Sequence, residues 1–354
     1  MNAMASGMLN MAGMGLRMVA HGYVSPRKVL NFIRCLAHPY MGNVISTGYP
    51  PALAIDPSAT CNLGCFACPA GNAAPTPLKN MNFADYTKLI DEVGAYALIT
   101  FLYVTGEPFM NKDLARYIEY AHRKRIYTVV STNGHFINTP EQAEKIVNSG
   151  LDDLIITISG LSQEVYEKYH RHGHIATVLK GLDNLVAARI RLGKKSPKLT
   201  IRYVEFAYNL EERDKARAHF MKSGADAFTA RAARGNIAPG MVPQELKGVM
   251  AEYKQQFIAP GNVAAKQPQY RRCLWPWLIA VVNWDGVLTP CTQYPWVKEE
   301  NTQNYLGNVF KEGSFQKAWQ GRRLMDYRTH LLDKNLIPDS CKNCIRSVGF
   351  GDDT

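Results

Sequence analysis

Short apolar runs alternate with stretches of helical periodicity from residue 52 to residue 230. The strand-like runs are Ala52–Ile55, Leu98–Val104, Ile126–Ser131, Leu154–Ser159, Leu199–Phe206 and Ala227–Ala230. Helix-like stretches lie between them, at Asn82–Val93, Lys112–Lys124, Pro140–Ser149, Ser162–His170 with Ile175–Arg191, and Leu210–Ser223. This alternation predicts an α/β fold with a parallel sheet and outer helices, either open or curled into a partial barrel. Functional residues are then expected at the carboxyl ends of the strands.

A basic amphipathic helix is predicted near the N-terminus. Ser25 followed by Pro26 is a typical helix start, and Pro39 is expected to end the helix. The apolar positions are Val29, Leu30, Ile33, Leu36 and Ala37, whereas Arg27, Asn31, Arg34 and His38 form the polar side, to which Lys28 adds charge. Two interpretations stay open. The apolar face packs on the main domain, or the helix lies on a membrane surface or grips an acidic substrate.

The alternation stops after residue 235. Gly and Pro punctuate residues 236–272, which predicts a linker with one helix over Gln244–Gln256. Leu278–Trp284 and Val287–Pro290 flank Asp285-Gly286, a strong two-residue turn signal, and therefore predict a β-hairpin. A further helix is predicted over Ser314–Tyr327.

Composition and charge narrow the class of protein. The 354 residues are 46% hydrophobic and 20% charged, as in an ordinary globular protein, so wholesale disorder is excluded. No long apolar run or early basic segment indicates a membrane span or a secretory signal, and a cytoplasmic location is expected. The net charge of +11 suggests an acidic partner or a soluble basic enzyme. The basic residues are scattered and do not interleave with aromatic ones, so nucleic-acid binding is not favoured.

The eight cysteines carry the most specific chemical information. Cys61, Cys65 and Cys68 follow the first predicted strand with C-x3-C-x2-C spacing. Three thiolates on one loop can bind three irons of a cubane cluster and leave the fourth iron open, where substrate or cofactor can bind. The alternative is a structural zinc site, but such sites are closed and usually use C-x2-C pairs. A zinc protein that binds nucleic acid is therefore the rival interpretation from another class.

This loop resembles the cluster motif of the radical S-adenosylmethionine (radical SAM) superfamily, and the resemblance covers roughly residues 50–235. It implies a partial (β/α)6 barrel that binds a [4Fe–4S] cluster and S-adenosylmethionine (SAM). Thr105-Gly106-Glu107-Pro108 is similar to the family's GGEP segment, with Thr in place of the first Gly. Further residues resemble SAM-contacting positions, namely Phe66 beside the adenine, Ser131, Asn133 and Ser159 near the ribose or methionine, and Arg171 near the carboxylate.

The resemblance implies reductive cleavage of SAM to methionine and a 5′-deoxyadenosyl radical, which abstracts hydrogen from an unactivated C–H bond. The cofactors supply this step, and the protein supplies placement and exclusion of water. The resemblance also implies an electron donor such as flavodoxin or ferredoxin.

A second cysteine group lies near the C-terminus. Cys273, Cys291, Cys341 and Cys344 are enough to close a second four-iron cluster completely, with a four-cysteine zinc ribbon as the alternative. Their arrangement resembles the twitch domain, the shorter form of the SPASM domain, and so implies one auxiliary [4Fe–4S] cluster. Electron relay is the favoured role of that cluster, with a structural role as its rival. Cys35 remains, and a buried apolar role is favoured over hydrogen-atom donation.

These patterns predict four segments: an N-terminal helical extension (1–50), a radical SAM partial barrel (51–235), a linker (236–272) and an auxiliary-cluster domain (273–354). The predicted activity is that of a radical SAM oxidoreductase. The basic N-terminal helix favours a small polar, sugar-like or lipid-linked substrate. It also favours weak peripheral contact with a membrane. A peptide- or protein-modifying maturase is the alternative.

Overall fold

The computed structural model describes residues 3–65, 68, 70–71, 79–232, 273–292, 304–333, 335–338 and 341. One sheet of eight strands organises this part of the chain, in the order β6-β5-β4-β3-β2-β1-β7-β8. The strands are β1 (Ala52–Ile55), β2 (Ile99–Phe101), β3 (Tyr127–Thr132), β4 (Asp153–Ile158), β5 (Lys198–Glu205), β6 (Ala227–Ala232), β7 (Ile279–Val282) and β8 (Leu288–Thr289). All pairs are parallel except β7 with β8.

Helices connect the strands and continue at both ends of the chain. They are α1 (Ala3–Ala20), α2 (Pro26–Tyr40), α3 (Phe83–Val93), α4 (Leu114–Arg123), α5 (Pro140–Asn148), α6 (Gln163–Glu167), α7 (Ile175–Arg191), α8 (Arg213–Lys222), α9 (Trp275–Leu278), α10 (Phe315–Trp319) and α11 (Arg322–Leu332). The six predicted strands and the helices predicted between them are confirmed to within a few residues. None of the described helices combines the length and apolarity needed to cross a bilayer.

The two faces of the sheet pack against different elements because neighbouring side chains in a strand point to opposite faces. Val130, Ile156 and Leu199 belong to the main core with the apolar residues of helices α3 to α8. The opposite face, here called the inner face, carries Val129 and Ile155. The main core therefore lies between the sheet and the helices that connect its strands.

Helix α1 covers part of the inner face, and the sequence analysis does not place it. Met18 packs against Tyr127 and Val129. The Arg17 guanidinium donates to the Tyr127 hydroxyl at 2.9 Å and lies 3.1 Å from the Asp153 carboxylate. Because Asp153 begins β4, this ion pair fixes α1 at the amino end of the sheet.

Helix α2 packs on the domain mainly through its polar side. Lys28, Asn31 and Cys35 are buried, whereas Leu30 and Ile33 are 50% and 55% exposed. The expectation that the apolar face packs on the domain is therefore wrong for Leu30 and Ile33, whereas Leu36 packs against the buried cluster that includes Cys35. The reason lies in the neighbouring backbone, since Lys28 Nζ donates to the carbonyl of residue 125 and Asn31 Nδ2 donates to that of residue 49. The predicted burial of Cys35 is confirmed, and Pro39 lies inside the helix instead of ending it.

The predicted hairpin is confirmed and joins the main sheet. Gly286 adopts φ +85° in its turn, a conformation that side chains other than Gly rarely accept. Strand β7 pairs with β1, with Ala52 opposite Ile279. The single helix predicted over Ser314–Tyr327 is wrong, because Gly321 separates α10 from α11. The predicted helix Gln244–Gln256 lies outside the described residues.

Candidate active site

The first cysteine loop follows β1 at the carboxyl edge of the sheet. Cys61, Cys65 and Cys68 are partly exposed as residues. Burial raises the pKa of the Cys61 thiol to about 11 and raises that of Cys65 and Cys68. Cys61 Sγ accepts N–H groups from Leu63 at 3.5 Å and from the Asn133 side chain at 3.9 Å. These donors favour the thiolate form, which is the form that binds iron.

The segment after β2, Thr105–Pro108, lies against the start of this loop. The Glu107 amide donates to the carbonyl of Thr60 at 2.9 Å, one residue before Cys61. A Cβ atom on Gly106 would lie 2.3 Å from the Ser58 carbonyl oxygen and 2.5 Å from that of Thr60. Only Gly fits so close an approach, and this explains the Gly of the Thr105–Pro108 segment.

Asp56 explains why Thr105 replaces Gly in that segment. The Thr105 amide donates to Asp56 at 3.2 Å, and the Thr105 hydroxyl makes a second, short hydrogen bond to the same carboxyl group. Asp56 is 1% exposed, and burial raises its pKa to about 7. Sequence reasoning missed this residue, although a lone polar residue directly after a buried strand is a usable signal.

Glu107 joins the ends of two neighbouring strands. Its Oε1 accepts the Thr132 hydroxyl at 2.7 Å, and its Oε2 accepts the Asn133 amide at 2.8 Å. Burial raises the Glu107 pKa to about 7 although these hydrogen bonds oppose the shift. The carboxyl group is thus engaged with β3, and it holds Asn133 where the Asn133 side chain reaches Asn62 at 2.8 Å and Cys61.

The other predicted SAM contacts differ in their burial and in their distance from the cysteine loop. Ser131 Oγ lies 3.4 Å from the Thr157 hydroxyl on the inner face. Ser159 is fully buried, with its hydroxyl 2.7 Å from the His170 ring. Arg171 is exposed, and its carbonyl accepts the Gly64 amide at 3.1 Å, which ties it to the cysteine loop. Pro108 is buried at the start of a short 3-10 helix. Phe66 lies outside the described residues.

The second cysteine group converges on one tyrosine. Burial raises the pKa of Tyr327, and Cys341, Cys291 and Cys273 raise it further, so the three thiols lie near this tyrosine. The Tyr327 hydroxyl lies 3.1 Å from Cys341 Sγ. Cys344, the fourth predicted ligand, lies outside the described residues. Nothing in the sequence pattern singled out Tyr327.

A cavity of about 70 Å³ lies between α1 and the inner face. Its wall includes Tyr103, the Arg17–Asp153 ion pair, Lys198 and Arg202. Arg202 Nε is buried without a hydrogen-bond partner. A guanidinium with a free Nε–H on this wall is suited to an anionic group such as carboxylate or phosphate.

The donors present fit the implied clusters. Both groups consist of thiols, the ligands of iron–sulfur clusters, and neighbouring N–H or O–H groups point at their sulfurs. Among the described residues, no three His, Cys, Asp or Glu side chains are gathered closely enough to hold a single metal ion. The ligands of a cubane cluster bind different irons, so they need not converge on a single point. The thiols and the N–H and O–H groups beside them are therefore what makes these loops suitable for a cluster.

A three-cysteine loop at the carboxyl edge of a parallel sheet defines an α/β cluster enzyme, and comparisons with known proteins agree. The radical SAM superfamily model matches residues 55–204, and the SPASM iron–sulfur cluster-binding domain matches residues 273–345. The chain therefore carries a radical SAM domain and a SPASM-type domain. The predicted cofactors, SAM and [4Fe–4S] clusters, are those of this class.

Curated relatives match parts of the chain. Fe-coproporphyrin III synthase of Methanosarcina barkeri is 29% identical over 47% of this chain and 42% of its own length, so less than half of that relative is matched. The mycofactocin maturase MftC of Mycobacterium ulcerans is 30% identical over 39% of this chain and 37% of its own. The Pyrococcus furiosus protein that modifies the cofactor of a tungsten-containing aldehyde ferredoxin oxidoreductase is 22% identical over 82% of this chain and 86% of its own.

The fold also matches solved structures. Streptococcus suis SuiB bound to SAM has a TM-score of 0.59 at 16% identity, over 84% of this chain and 72% of that one. The SAM-bound structure of anSMEcpe has a TM-score of 0.53 at 15% identity, over 83% and 86%. The predicted fold, a partial (β/α)6 radical SAM barrel with a small C-terminal cluster domain, is confirmed.

Proposed function

We propose that the chain is a radical SAM oxidoreductase in which Cys61, Cys65 and Cys68 hold the SAM-binding cluster. One observation carries the proposal: the three thiols sit on a single loop that Asn133 and the Thr105–Glu107 segment fix at the carboxyl edge of the sheet. Three ligands leave one iron of a cubane free of protein. When bound, the cluster and SAM supply a 5′-deoxyadenosyl radical that abstracts hydrogen from an unactivated C–H bond.

The residues around this loop bind and orient. Backbone groups of Thr105–Pro108 are proposed to hold the methionine amino group. Glu107 fixes Asn133, whose side chain supports the loop at Asn62 and Cys61. We also propose SAM contacts for Ser131, Ser159, Arg171 and Phe66. The buried Ser159 hydroxyl lies beside His170, so an indirect role through His170 fits Ser159 better than direct contact with SAM.

The auxiliary cysteines are proposed to close a second cluster that accepts an electron from the substrate radical. Cys273, Cys291 and Cys341 lie near Tyr327, and Cys344 would complete the set. A reduced flavodoxin or ferredoxin is the proposed external donor. The segment boundaries at residues 50, 235 and 272 are also proposals, and the pairing of β7 with β1 means that the last segment is built onto the barrel sheet.

The substrate is proposed to be small, polar and anionic, with sugar-like and lipid-linked compounds favoured. Arg202 supports this because its Nε has no partner on the cavity wall. Candidate phosphates and carboxylates should accelerate 5′-deoxyadenosine formation by the reconstituted chain, and Arg202→Gln should abolish the acceleration. Arg213→Gln is the matched control, since Arg213 is half-buried and pairs with Glu205 and Asp214. Equal acceleration in the Arg202→Gln variant would remove this substrate class.

A peptide-modifying maturase is the second candidate. The 30% identity to a mycofactocin maturase favours it, although the match covers 37% of that relative. If the substrate is a peptide, it should accelerate 5′-deoxyadenosine formation equally in the unmodified chain and in the Arg202→Gln variant.

The metal content tests the class of protein directly. Anaerobically reconstituted chain should hold about eight irons and eight sulfides, as two four-iron clusters require. Zinc in place of iron would support the rival nucleic-acid protein, and about four irons would contradict the two-cluster account.

A further inference from the structure

The outward face of α2 is apolar and exposed. The buried side of this helix carries Lys28, Asn31, Cys35 and His38. Its outward side carries Val29, Leu30 and Ile33, followed by Tyr40 and Met41 at the end of the helix, and all five are exposed. At 100° per residue, Val29, Leu30, Ile33 and Tyr40 lie within one sector of the helix. We call these four residues the outward stripe.

The chain segment that carries the outward stripe has charges of a single sign. The first 55 residues of the chain hold no Asp or Glu. Arg27 and Arg34 are exposed and lie seven residues apart, so they stand two turns from each other along one border of the stripe. Arg27 lies over the Tyr96 ring at 5.8 Å, a contact that still leaves its charge at the surface.

Helix α1 adds further apolar surface directly before this region. Leu16 and Val19 are 72% and 64% exposed, whereas Met18 on the same helix packs into the sheet. Two consecutive helices thus use one side for internal packing and present apolar residues on another. Apolar residues bordered by Arg, with Tyr at the margin, match the requirements of a helix that lies in a bilayer interface.

We propose that α2 docks through the outward stripe on an anionic lipid bilayer, with Arg27 and Arg34 against the headgroups. The segment of residues 1–55 has basic but no acidic residues, which favours this occupant over a basic or neutral partner, because basic side chains attract anionic headgroups. The helix lies in the plane of the interface and its apolar side chains insert. Since Lys28 and Asn31 hold the other side of α2 to the carbonyls of residues 125 and 49, docking needs no rearrangement of the fold. This inference does not depend on the proposed substrate.

Co-sedimentation of the reconstituted full chain tests the proposal. The probes are vesicles of phosphatidylcholine alone and vesicles with 30% phosphatidylglycerol, at about 0.1 M salt, where the Debye length is about 10 Å. We expect binding to the anionic vesicles that exceeds binding to the neutral ones at least tenfold. Arg27→Gln with Arg34→Gln should lower the anionic partition coefficient about 25-fold, since each basic residue contributes about fivefold.

The apolar contribution is tested by Leu30→Glu with Ile33→Glu, which should abolish binding. Ile190→Glu is the matched control, because Ile190 is 76% exposed on α7, and it should bind as the unmodified chain does. If the double Glu variant fails to fold, the double Gln variant decides. Equal sedimentation with both vesicle types, or no sedimentation, overturns the proposal. A dimer that the double Glu variant converts to monomer, without vesicle binding, would assign the stripe to a second copy instead.

Discussion

The hydroxyl of Tyr327 lies 3.1 Å from the sulfur of Cys341, in the auxiliary cysteine group. A hydrogen bond to a cluster-ligating sulfur stabilises the more negative, reduced cluster and so raises its reduction potential. This contact therefore gives α11 a direct influence on the proposed electron acceptor.

Tyr327→Phe should lower the reduction potential of the auxiliary cluster. A hydrogen bond to a charged group of about 1.5 kcal/mol corresponds to roughly 60 mV for one electron. The measurement is an anaerobic potentiometric titration followed by electron paramagnetic resonance. Tyr86→Phe is the control, because Tyr86 is also buried but donates to the carbonyl of Tyr117. An unchanged reduction potential in Tyr327→Phe would mean that the hydroxyl does not donate a hydrogen bond to a sulfur that binds the cluster.

Asp56 should give the apoprotein a recognisable pH dependence. Its folded pKa of about 7 lies above the ordinary 3.8, so the folded state binds more protons between these values. Its contribution to stability is therefore greatest below about pH 4, falls as the pH rises to about 7, and is constant above. The slope reaches about 1.4 kcal/mol per pH unit at most.

Denaturant unfolding of the apoprotein and of Asp56→Asn at several pH values tests this prediction. Asn carries no titrating group, so the unmodified chain should lose stability relative to the variant between pH 4 and pH 7. A difference between the two proteins that does not vary with pH would exclude a raised Asp56 pKa.

Gly106→Ala should disturb the cysteine loop. The new Cβ would lie 2.3 Å from the Ser58 carbonyl oxygen, and backbone on both sides must move. We expect a loss of about 1–3 kcal/mol in stability and slower SAM cleavage, as for other overpacked sites. Gly15→Ala is the matched control, since nothing lies within 4 Å of its added Cβ. Thermal unfolding and a 5′-deoxyadenosine assay measure the two effects, and a fully active Gly106→Ala protein would contradict the close approach.

The βα units and the first cysteine loop could be predicted from sequence because local patterns encode them. Apolar runs of strand length and caps such as Thr139, whose side chain bonds the Gln142 amide, act within a few residues. The strand ends then followed from the parallel topology, which brought Gly106 and Asn133 to the same edge as Cys61.

The packing of α2 and the supporting residues could not be predicted in the same way. Helical periodicity identifies an apolar face but not what covers it, and here the carbonyls of residues 49 and 125 required polar partners. Asp56 meets a partner 49 positions away, and Tyr327 meets Cys341 only after the chain turns back beyond α11. Such contacts depend on the tertiary fold.

The central claim is that Cys61, Cys65 and Cys68 hold the cluster that cleaves SAM. The most direct measurement is 5′-deoxyadenosine formation by reconstituted protein with SAM and a strong reductant under anaerobic conditions. The unmodified chain should form it, and the joint replacement of these three residues by Ala should abolish it and halve the iron content. Cys341→Ala should leave it measurable, because the auxiliary site is separate. Undiminished 5′-deoxyadenosine formation by the triple variant, or none by fully loaded unmodified protein, would contradict the account.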